Sequence, residues 1–240
     1  MDDLVDLHAH ILPGLDDGPE EFRESVEMVR ALREMGFAHI FATPHQRLYS
    51  WQGLDPERVK AEVHRLTGAL AGPGIPVRIY AGMEYDLDET LLERTSQNPG
   101  SAGHLLVDVG FWGVHKDLEG LLGGVVEAGL KVLVVHPERN PTLCRNSSLV
   151  EGLLASGIRL AGNLGSLSGM YGQGARRLAH GMLEKDLYWA MASDMHSLEQ
   201  APWVRRGLDE LRDSVGLEGA RRLMLDNPME IIQALPEESP

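Results

Sequence analysis

Two histidines near the start of the sequence have the spacing of a shared metal site. His8 and His10 lie two residues apart in the segment DLHAH, so on an extended strand both side chains project from the same face. Two imidazoles in that arrangement can bind one metal ion. The pair alone is a weak signal, but Asp17 follows in a predicted loop and adds a carboxylate.

The same residue types end most of the other predicted strands. These positions are His45 in TPH, Glu84 in GME, Asp108 in LLVD, His136 and Arg139 in HPER, and Asp194 and His196 in SDMH. Each of them by itself could be an exposed strand end, a turn residue or the start of a helix. Six strand ends that all carry His, Asp or Glu favour one shared site. We expect the remaining histidines to be structural or exposed, namely His39, His64, His104, His115 and His180.

Five histidines and four carboxylates are more ligands than one tetrahedral ion can use. The candidate ligands are His8, His10, Asp17, His45, Glu84, Asp108, His136, Asp194 and His196. Two or three divalent cations would use this set. Imidazole and carboxylate ligands without thiolate suit manganese, iron, zinc or magnesium. Coordination positions left open at such a centre predict hydrolysis by a metal-bound hydroxide.

Short apolar segments and longer amphipathic segments alternate along the chain and must position these residues. The predicted strands are Leu4–Leu7, His39–Ala42, Val77–Ala81, Leu105–Val109, Lys131–Val135, Arg159–Ala161 and Leu187–Ala192. The predicted helices are Glu20–Met35, Pro56–Leu70, Gly120–Ala128, Ser147–Ala155, Ala175–Glu184 and Pro202–Val215. This pattern is typical of parallel strands covered by helices. Without a glycine-rich dinucleotide-binding sequence, it favours a closed or nearly closed barrel, whose strands all end at one mouth.

A helix start is also predicted near the end of the chain. In the segment Asn227-Pro228-Met229-Glu230, Asn227 is a candidate N-cap and Pro228 suits the first helical position. Glu230 would complete a capping box. We therefore expect the last helix to begin at Asn227.

The composition excludes several classes of protein. The 240 residues include 22 Lys and Arg against 36 Asp and Glu, a formal net charge of −14, which argues against a nucleic-acid-binding surface. The single cysteine, Cys144, allows no internal disulfide and suits a reducing compartment. An acidic pair at the start of the sequence, and no apolar run approaching ~18 residues, predict a cytoplasmic chain without membrane insertion. We expect residues 1–240 to form one domain.

The ordered set of motifs resembles a known family. The segments DLHAHILPGLDDG, ATPH, AGMEY, VVHPERN, NLGSLSGMYG, ASDMH and DNP occur in this order over nearly the whole chain. The set is similar to the PHP (polymerase and histidinol phosphatase) superfamily. It is more closely similar to the bacterial manganese-dependent tyrosine phosphatases of capsule and exopolysaccharide operons, the CpsB/YwqE type. The resemblance implies an α/β fold, a distorted TIM-like (β/α)7 barrel of the PHP type, with a three-metal site at its mouth.

The resemblance also implies a substrate and residue roles. The substrate would be the phosphotyrosine tail of a bacterial tyrosine autokinase that controls polysaccharide chain length and export. All the candidate ligands except Asp108 fall on metal ligands of the family, and Arg139 falls on the arginine that binds the phosphoryl group. Asp108 stands where the family typically has a glutamate that bridges two metals. After His196, the residues SLEQ replace an Asn and an Arg that the family often carries.

Three functions remain open from the sequence. The first is the tyrosine phosphatase, and the second is a PHP hydrolase of a small phosphomonoester, such as histidinol phosphate, or of a phosphodiester. The third is a non-catalytic metal-binding module that recognises a phosphorylated partner. A cysteine-dependent phosphatase is disfavoured, because the sixth residue after Cys144 is Val150 and not the arginine of a C-x5-R loop.

Three loops could contribute to the mouth of the barrel. Residues 46–51 after His45, and the pair Phe111-Trp112 after Asp108, could hold an aromatic ring or could be ordinary loops. The glycine-rich segment 163–172 predicts a loop that needs close backbone approach, or else a tight turn.

Overall fold

The computed structural model describes residues 3–46, 54–72, 74–97 and 103–236 of the chain. The strands are β1 Leu4–Ala9, β2 Phe37–Ala42, β3 His45–Gln46, β4 Arg78–Ala81, β5 Glu84–Asp86, β6 His104–Asp108, β7 Lys131–Val135, β8 Arg159–Asn163 and β9 Ala190–Ala192. The helices are α1 Phe22–Glu34, α2 Pro56–Ala71, α3 Leu91–Gln97, α4 Leu118–Glu127, α5 Pro141–Arg145, α6 Ser147–Ala155, α7 Leu164–Ser168, α8 Gly172–Glu184, α9 Ala201–Arg221 and α10 Asn227–Gln233.

The strand pairings within these ranges are all parallel. One sheet has the order β1-β2-β4 and the other has the order β3-β5-β6-β7-β8-β9. Two-residue breaks separate β2 from β3 and β4 from β5. Hydrogen bonds from Gly82 N to Ala42 O (2.9 Å) and from Glu84 N to Pro44 O (3.2 Å) continue the pairing across these breaks. The nine strand segments therefore occupy seven strand positions.

The first and last strand positions are also joined. Asp194 N donates to His8 O (2.8 Å), and His10 N donates to Met195 O (3.0 Å). An isolated parallel bridge between Ala9 and Met195 lies between these bonds. The strands thus form a distorted α/β ring, which confirms the predicted fold class. The ring is irregular because two strands are interrupted and the β1–β9 seam is short.

Two apolar clusters fill the structure. The larger one lies between the strands and the surrounding helices and includes Leu32, Leu66 and Leu122, all fully buried. The smaller one takes residues from successive strands, such as Leu7 in β1, and is joined by Ile231 of α10. Burial on both faces explains why the strands read as apolar segments.

Helix α10 covers the amino-terminal end of the strands. Asn227 Nδ2 donates to Trp189 O (2.7 Å), just before β9, and Arg159 at the start of β8 pairs with Glu230 (3.1 Å). The predicted capping box at Asn227 was wrong. A π-helical segment, Arg222–Asp226, precedes α10 without a break, so α10 has no free amino-terminal end that the Asn227 side chain could cap. The side chain makes the tertiary contact with Trp189 O instead. The carboxyl ends of the strands are left for the candidate site.

Three short helices were not predicted, and one strand is shorter than expected. Helices α3, α5 and α7 have five to seven residues, too few for an amphipathic period to be read. Segment 163–172 is therefore mostly helical rather than a loop, and its close approach involves another helix. A Cβ added at Gly207 of α9 would lie 1.9 Å from Leu164 O of α7. Strand β9 begins three residues late because Leu187 N still bonds Met182 O of α8 (3.1 Å).

Over the described ranges, each helix is either too short or too polar to span a lipid bilayer.

Candidate metal centre

All nine predicted ligands converge at the carboxyl ends of the strands. His8 lies in β1, His45 begins β3, Glu84 begins β5 and Asp108 ends β6. His10, His136, Asp194 and His196 lie in the turns that follow β1, β7 and β9, and Asp17 lies in the loop before α1. Their ligand atoms fall into four groups, within each of which the atoms lie within 4.8 Å of one another. The groups are His10-Asp17-His45-His196, His8-His136-Asp194, His8-His10-Glu84 and Glu84-Asp108-His136.

Glu84 is the central carboxylate of this cluster. Its Oε1 atom lies 3.0 Å from His136 Nε2, and its Oε2 atom lies 2.6 Å from His45 Nδ1. Oε2 is also 3.4 Å from the Nε2 atoms of His8 and His10. Burial opposes ionisation, but the charges and hydrogen bonds of the surrounding histidines hold the pKa of Glu84 well below its usual range. A carboxylate in this position can bridge neighbouring metal sites.

The first two histidines point their ring nitrogens at the same volume. His8 Nε2 and His10 Nε2 are 3.0 Å apart, and both lie 3.5 Å from Asp194 Oδ1. Burial, helped by the nearby His196, lowers the pKa of His10 to about 4, although its bond to Asp16 acts in the opposite direction. His10 is thus a neutral imidazole at neutral pH, the form that binds a metal.

His136 has the opposite electrostatic balance. Burial alone would lower its pKa, but the hydrogen bond with Glu84 and the charges of Asp108 and Asp194 outweigh burial and raise the pKa to about 9. The imidazole therefore holds a proton at neutral pH in the metal-free protein, and a cation bound here would displace that proton.

Asp17 forms the solvent-facing edge of the cluster. Its Oδ1 atom lies 3.2 Å from His45 Nε2 and 3.6 Å from His196 Nε2, and the side chain is 54% exposed. The hydrogen bond to His45 lowers the pKa of Asp17. A substrate could reach the cluster from this side, because the other ligands are mostly buried.

Asp16 orients one of the histidines, a role that was not predicted from the sequence. Asp16 Oδ2 lies 2.6 Å from His10 Nδ1 and accepts a hydrogen bond from His45 N (3.1 Å), while Oδ1 accepts one from Gly18 N (2.9 Å). Carboxylates that fix the second ring nitrogen of a ligand histidine are common around metals. The DDG segment carries both residues, but only the structure separates their roles.

Asp194 uses its two carboxylate oxygens differently. Oδ1 faces the imidazoles of His8 and His10. Oδ2 accepts hydrogen bonds from Asn163 Nδ2 (2.7 Å) and Arg139 Nη1 (3.1 Å). The charges of the nearby histidines lower its pKa against the effect of burial. Asp194 therefore connects the ligand cluster to the arginine.

Arg139 lies at the edge of the cluster, with a side chain that is 20% exposed. Its carboxylate partner is Asp194. Glu138, which directly precedes Arg139 in the chain, is fully buried and accepts hydrogen bonds from Asn163 N (2.8 Å) and Tyr188 Oη (3.0 Å). Arg139 is therefore paired with a candidate metal ligand and not with its neighbour in the HPER motif.

Two of the site residues have left-handed backbone conformations. His136 has φ 36° and Asp194 has φ 49°, a region that non-glycine residues rarely adopt. Hydrogen bonds from His136 N to Ala161 O and from Asp194 N to His8 O, both 2.8 Å long, hold these conformations. Backbone strain of this kind concentrates at functional sites.

Asp108 lies at the periphery of the ligand cluster. Its Oδ1 atom is 3.9 Å from His136 Nδ1 and accepts a hydrogen bond from Gly110 N (2.7 Å). The side chain is buried. One carboxylate oxygen of Asp108, Oδ1, is therefore already hydrogen-bonded to the loop that follows β6.

The donor set fits a centre of more than one divalent ion. Its four groups share Glu84, His8, His10 and His136, as bridging or adjacent metal sites require. The donors are imidazole and carboxylate without thiolate, a set that suits manganese, iron, zinc or magnesium. Because buried imidazole nitrogens and carboxylate oxygens converge within a few ångströms of one another, they can bind a cation among them.

The other sequence candidates lie outside this cluster. His39 Nδ1 lies 2.9 Å from Tyr80 Oη, His180 Nε2 lies 3.3 Å from Leu167 O, and His104 is buried. None of the five remaining histidines belongs to the four ligand groups of the described residues. Cys144 is half-buried, and burial raises its pKa to about 12, so its thiol is not an activated nucleophile. In the predicted rim segment 46–51, Gln46 accepts a hydrogen bond from Arg94 (2.8 Å), while residues 47–51 lie outside the described residues.

Two known tyrosine-protein phosphatases are similar in sequence to this chain. YwqE, a tyrosine-protein phosphatase of Bacillus subtilis, is 28% identical over 200 residues, which cover 82% of this chain and 78% of YwqE. CpsB, a tyrosine-protein phosphatase of Streptococcus pneumoniae, is 26% identical, with 95% of this chain and 98% of CpsB covered.

Solved structures are similar as well. One similar structure comes from the work on YwqE of Bacillus subtilis and CpsB of Streptococcus pneumoniae, which are described as unique metal-dependent tyrosine phosphatases. It superimposes with a TM-score of 0.87 at 26% sequence identity, covering 97% of this chain and 95% of the other chain. A histidinol phosphate phosphatase from Lactococcus lactis, complexed with zinc, L-histidinol and phosphate, matches with a TM-score of 0.60 and 13% identity, covering 89% of this chain and 94% of its own. That similarity concerns the fold alone.

The family profile described as capsular polysaccharide synthesis, CpsB/CapC, matches residues 4–233. This range contains every candidate ligand and Arg139. The chain therefore belongs to the CpsB/CapC family.

Proposed function

We propose that this protein is a metal-dependent protein-tyrosine phosphatase. The observation that carries the proposal is the convergence of nine candidate ligand side chains beside one arginine, Arg139, which pairs with Asp194 of the same cluster. Similarity to YwqE and CpsB, which are named tyrosine phosphatases, supports the same reaction. In its specific form, the substrate is the phosphotyrosine tail of a tyrosine autokinase of capsule or exopolysaccharide synthesis, and the location is cytoplasmic.

The proposed ligands are those of the four groups, with Glu84 shared between sites and Asp16 orienting His10. We propose two or three ions per chain, with manganese as the metal. When bound, such cations would neutralise the phosphoryl oxygens and supply an acidified water molecule for in-line attack on phosphorus. The residues of this chain hold the cations and place the substrate.

Arg139 is the proposed phosphoryl-binding residue. A guanidinium can donate two parallel hydrogen bonds to phosphate oxygens, which a lysine cannot imitate. The pair with Asp194 (3.1 Å) keeps Arg139 at a fixed position next to the ligand cluster. The remaining N–H groups of the guanidinium would donate to a phosphoryl group bound beside Asp194.

The leaving group explains a preference for tyrosine. Phenol has a pKa of about 10, far below that of an aliphatic alcohol, so the phenolate leaves with less help from a proton donor. Tyr171 borders the site, but burial raises its pKa above the usual value, which weakens it as a proton donor. The arrangement is therefore better matched to aryl phosphates than to phosphoserine.

A substrate panel tests the proposal. The metal-loaded protein would be assayed with para-nitrophenyl phosphate, a phosphotyrosine peptide, the matched phosphoserine peptide and histidinol phosphate. We expect the phosphotyrosine peptide to be cleaved at least tenfold faster than the phosphoserine peptide. Equal rates on histidinol phosphate would favour a small-molecule phosphatase. No turnover of any compound with added manganese would favour a binding module.

A further inference from the structure

The guanidinium of Arg139 lies between two aromatic rings. Its Cζ atom is 4.1 Å from the centroid of the Phe111 ring and 4.0 Å from that of the Tyr171 ring. Phe111 and Tyr171 come from loops after β6 and α7, and together we call them the aromatic clamp. Cations attract the faces of aromatic rings, so both contacts stabilise the same position of the arginine.

The loop that carries Phe111 is itself fastened. Asn140 Nδ2 donates hydrogen bonds to Gly110 O (3.0 Å) and to Gly113 O (2.6 Å). Both glycines have positive φ angles, 79° and 75°, which let the chain turn tightly around Phe111. The Phe111 ring centroid also lies 5.7 Å from that of His136. Phe111 is thus held between a candidate metal ligand and the arginine.

Tyr171 is held by contacts of its own. Its hydroxyl lies 3.3 Å from Asn163 Nδ2 and 3.4 Å from Asp194 Oδ2. A Cβ at Gly165 would lie 3.3 Å from Tyr171 Cε2, so the ring packs closely against the first turn of α7. The same Asn163 amide binds Asp194 Oδ2, which also accepts from Arg139.

We propose that Phe111 and Tyr171 are positioning residues that fix the plane of the Arg139 guanidinium relative to the metal centre. The inference rests on the proposed function, in which Arg139 binds the phosphoryl group. An arginine side chain is long and has many rotamers, so an unsupported guanidinium loses much conformational freedom when it binds an anion. The clamp removes that freedom before the substrate arrives.

The clamp also restricts how an anion can approach. All N–H groups of a guanidinium lie in its plane, so the rings over Arg139 obstruct approach to its surface and leave its edge to donate to a ligand. Two phosphoryl oxygens can accept from such an edge in parallel. Arg139 Nη1 is bonded to Asp194, whose other oxygen faces His8 and His10. This bond keeps the N–H edge of the guanidinium at a fixed position relative to the proposed metal sites.

Binding of inorganic phosphate to the metal-loaded full-length protein tests the clamp. Isothermal titration would compare the unchanged protein with Phe111→Leu and Tyr171→Leu, which keep apolar bulk but remove a ring face. We expect each to weaken phosphate binding about tenfold, with metal content unchanged. Tyr171→Phe keeps the ring face and loses the hydroxyl, so its affinity should remain within about threefold of the unchanged protein.

Two controls separate the clamp from general packing effects. Phe22→Leu removes an equivalent stack outside the site, where Arg65 Cζ lies 4.0 Å from the Phe22 ring, and it should leave phosphate affinity unchanged. In an Arg139→Ala background, Phe111→Leu should cause no further loss, because residues that act through one partner are not additive. Equal losses with and without Arg139, or tight phosphate binding by both Leu variants, would overturn the inference.

The same measurements distinguish this inference from the proposed function. If the unchanged protein binds phosphate but hydrolyses no phosphotyrosine peptide, the proposed function fails, and the Leu variants still decide the clamp. If it hydrolyses the peptide and the Leu variants lose no affinity and no catalytic efficiency, the function stands and the clamp is rejected. If the unchanged protein binds no phosphate, the clamp is rejected as well.

Discussion

The carboxylate of Asp16 lies 2.6 Å from Nδ1 of His10, and the other ring nitrogen of His10 faces Glu84 and His8. A short bond between a buried carboxylate and an imidazole fixes both the ring orientation and the nitrogen that carries the proton. Asp16 therefore presets the histidine lone pair towards the candidate metal centre, although Asp16 belongs to none of the four ligand groups of the described residues.

Replacing Asp16 should weaken metal binding without removing a ligand. We expect Asp16→Ala to reduce metal affinity by about 10-fold to 100-fold, because His10 loses the partner that orients it. Metal titration with a competing chelator measures the effect. Asp55→Ala is the matched control. Asp55 lies away from the site and accepts a hydrogen bond from Glu57 N (3.0 Å), two residues on, as Asp16 does from Gly18 N (2.9 Å). Unchanged metal affinity in Asp16→Ala would contradict the orienting role.

Activity should depend on divalent metal. The only cysteine has a raised pKa, and the converging side chains are metal ligands. Prolonged chelation should abolish turnover of para-nitrophenyl phosphate, and manganese should restore it. Cys144→Ala should keep near-normal activity. Full turnover by a preparation shown to be metal-free would refute this prediction, and loss of activity in a stable Cys144→Ala protein would revive a thiol mechanism.

Arg139 should contribute through its planar, two-donor geometry. Arg139→Ala should lower kcat/KM about 100-fold, equivalent to about 2.7 kcal/mol, with unchanged metal content. Arg139→Lys should restore little, because an ammonium group lacks the paired donors and the flat surface that stacks between Phe111 and Tyr171. Steady-state kinetics with a phosphotyrosine peptide measure both effects. A Lys variant with near-normal efficiency would show that charge alone suffices.

Asp108 should leave one metal position weakly held. Its Oδ1 atom is 3.9 Å from His136 Nδ1 and is bonded to Gly110 N, so it is poorly placed to draw in a bridging ion. Metal analysis after dialysis should give fewer than three ions per chain, and Asp108→Glu should raise the number because the longer side chain reaches further. Three firmly held ions in the unchanged protein would show that Asp108 bridges well.

Asp6 should make metal-free stability depend on pH. Burial raises the pKa of this carboxyl in β1 from 3.8 to about 6, against hydrogen bonds from Ser193 and His8. The folded protein then binds this proton more tightly than the unfolded chain, so the stability present below the unfolded pKa is lost as the pH rises through about 6. The shift corresponds to about 3 kcal/mol.

The Asp6→Asn variant isolates that contribution because it does not titrate. Its unfolding free energy, minus that of the unchanged protein, should increase by about 2.4 kcal/mol between about pH 4 and about pH 7.5. Urea unfolding of both metal-free proteins gives the difference. A difference that does not change with pH would mean that Asp6 ionises normally in the folded state.

Much of the site was predictable because it depends on two local patterns. Apolar segments mark the strands, and the residues after them are the ones that a parallel ring brings to one mouth. The sequence alone therefore predicts that His8, Glu84 and His196 lie together. The capping box predicted for the last helix was wrong because the Asn227 side chain bonds Trp189 O, a tertiary contact that local capping rules do not include.

The sequence by itself determined the alternation of strands and helices, the identity of the nine candidate ligands and the resemblance to the family. Only the tertiary structure decided which oxygen of Asp194 faces the histidines, that Asp16 orients His10, and that Phe111 and Tyr171 enclose Arg139. Residue type and spacing report backbone periodicity, which is local. Side-chain partners depend on which loops from distant strands lie next to each other in the folded protein. No single segment of the chain contains that information.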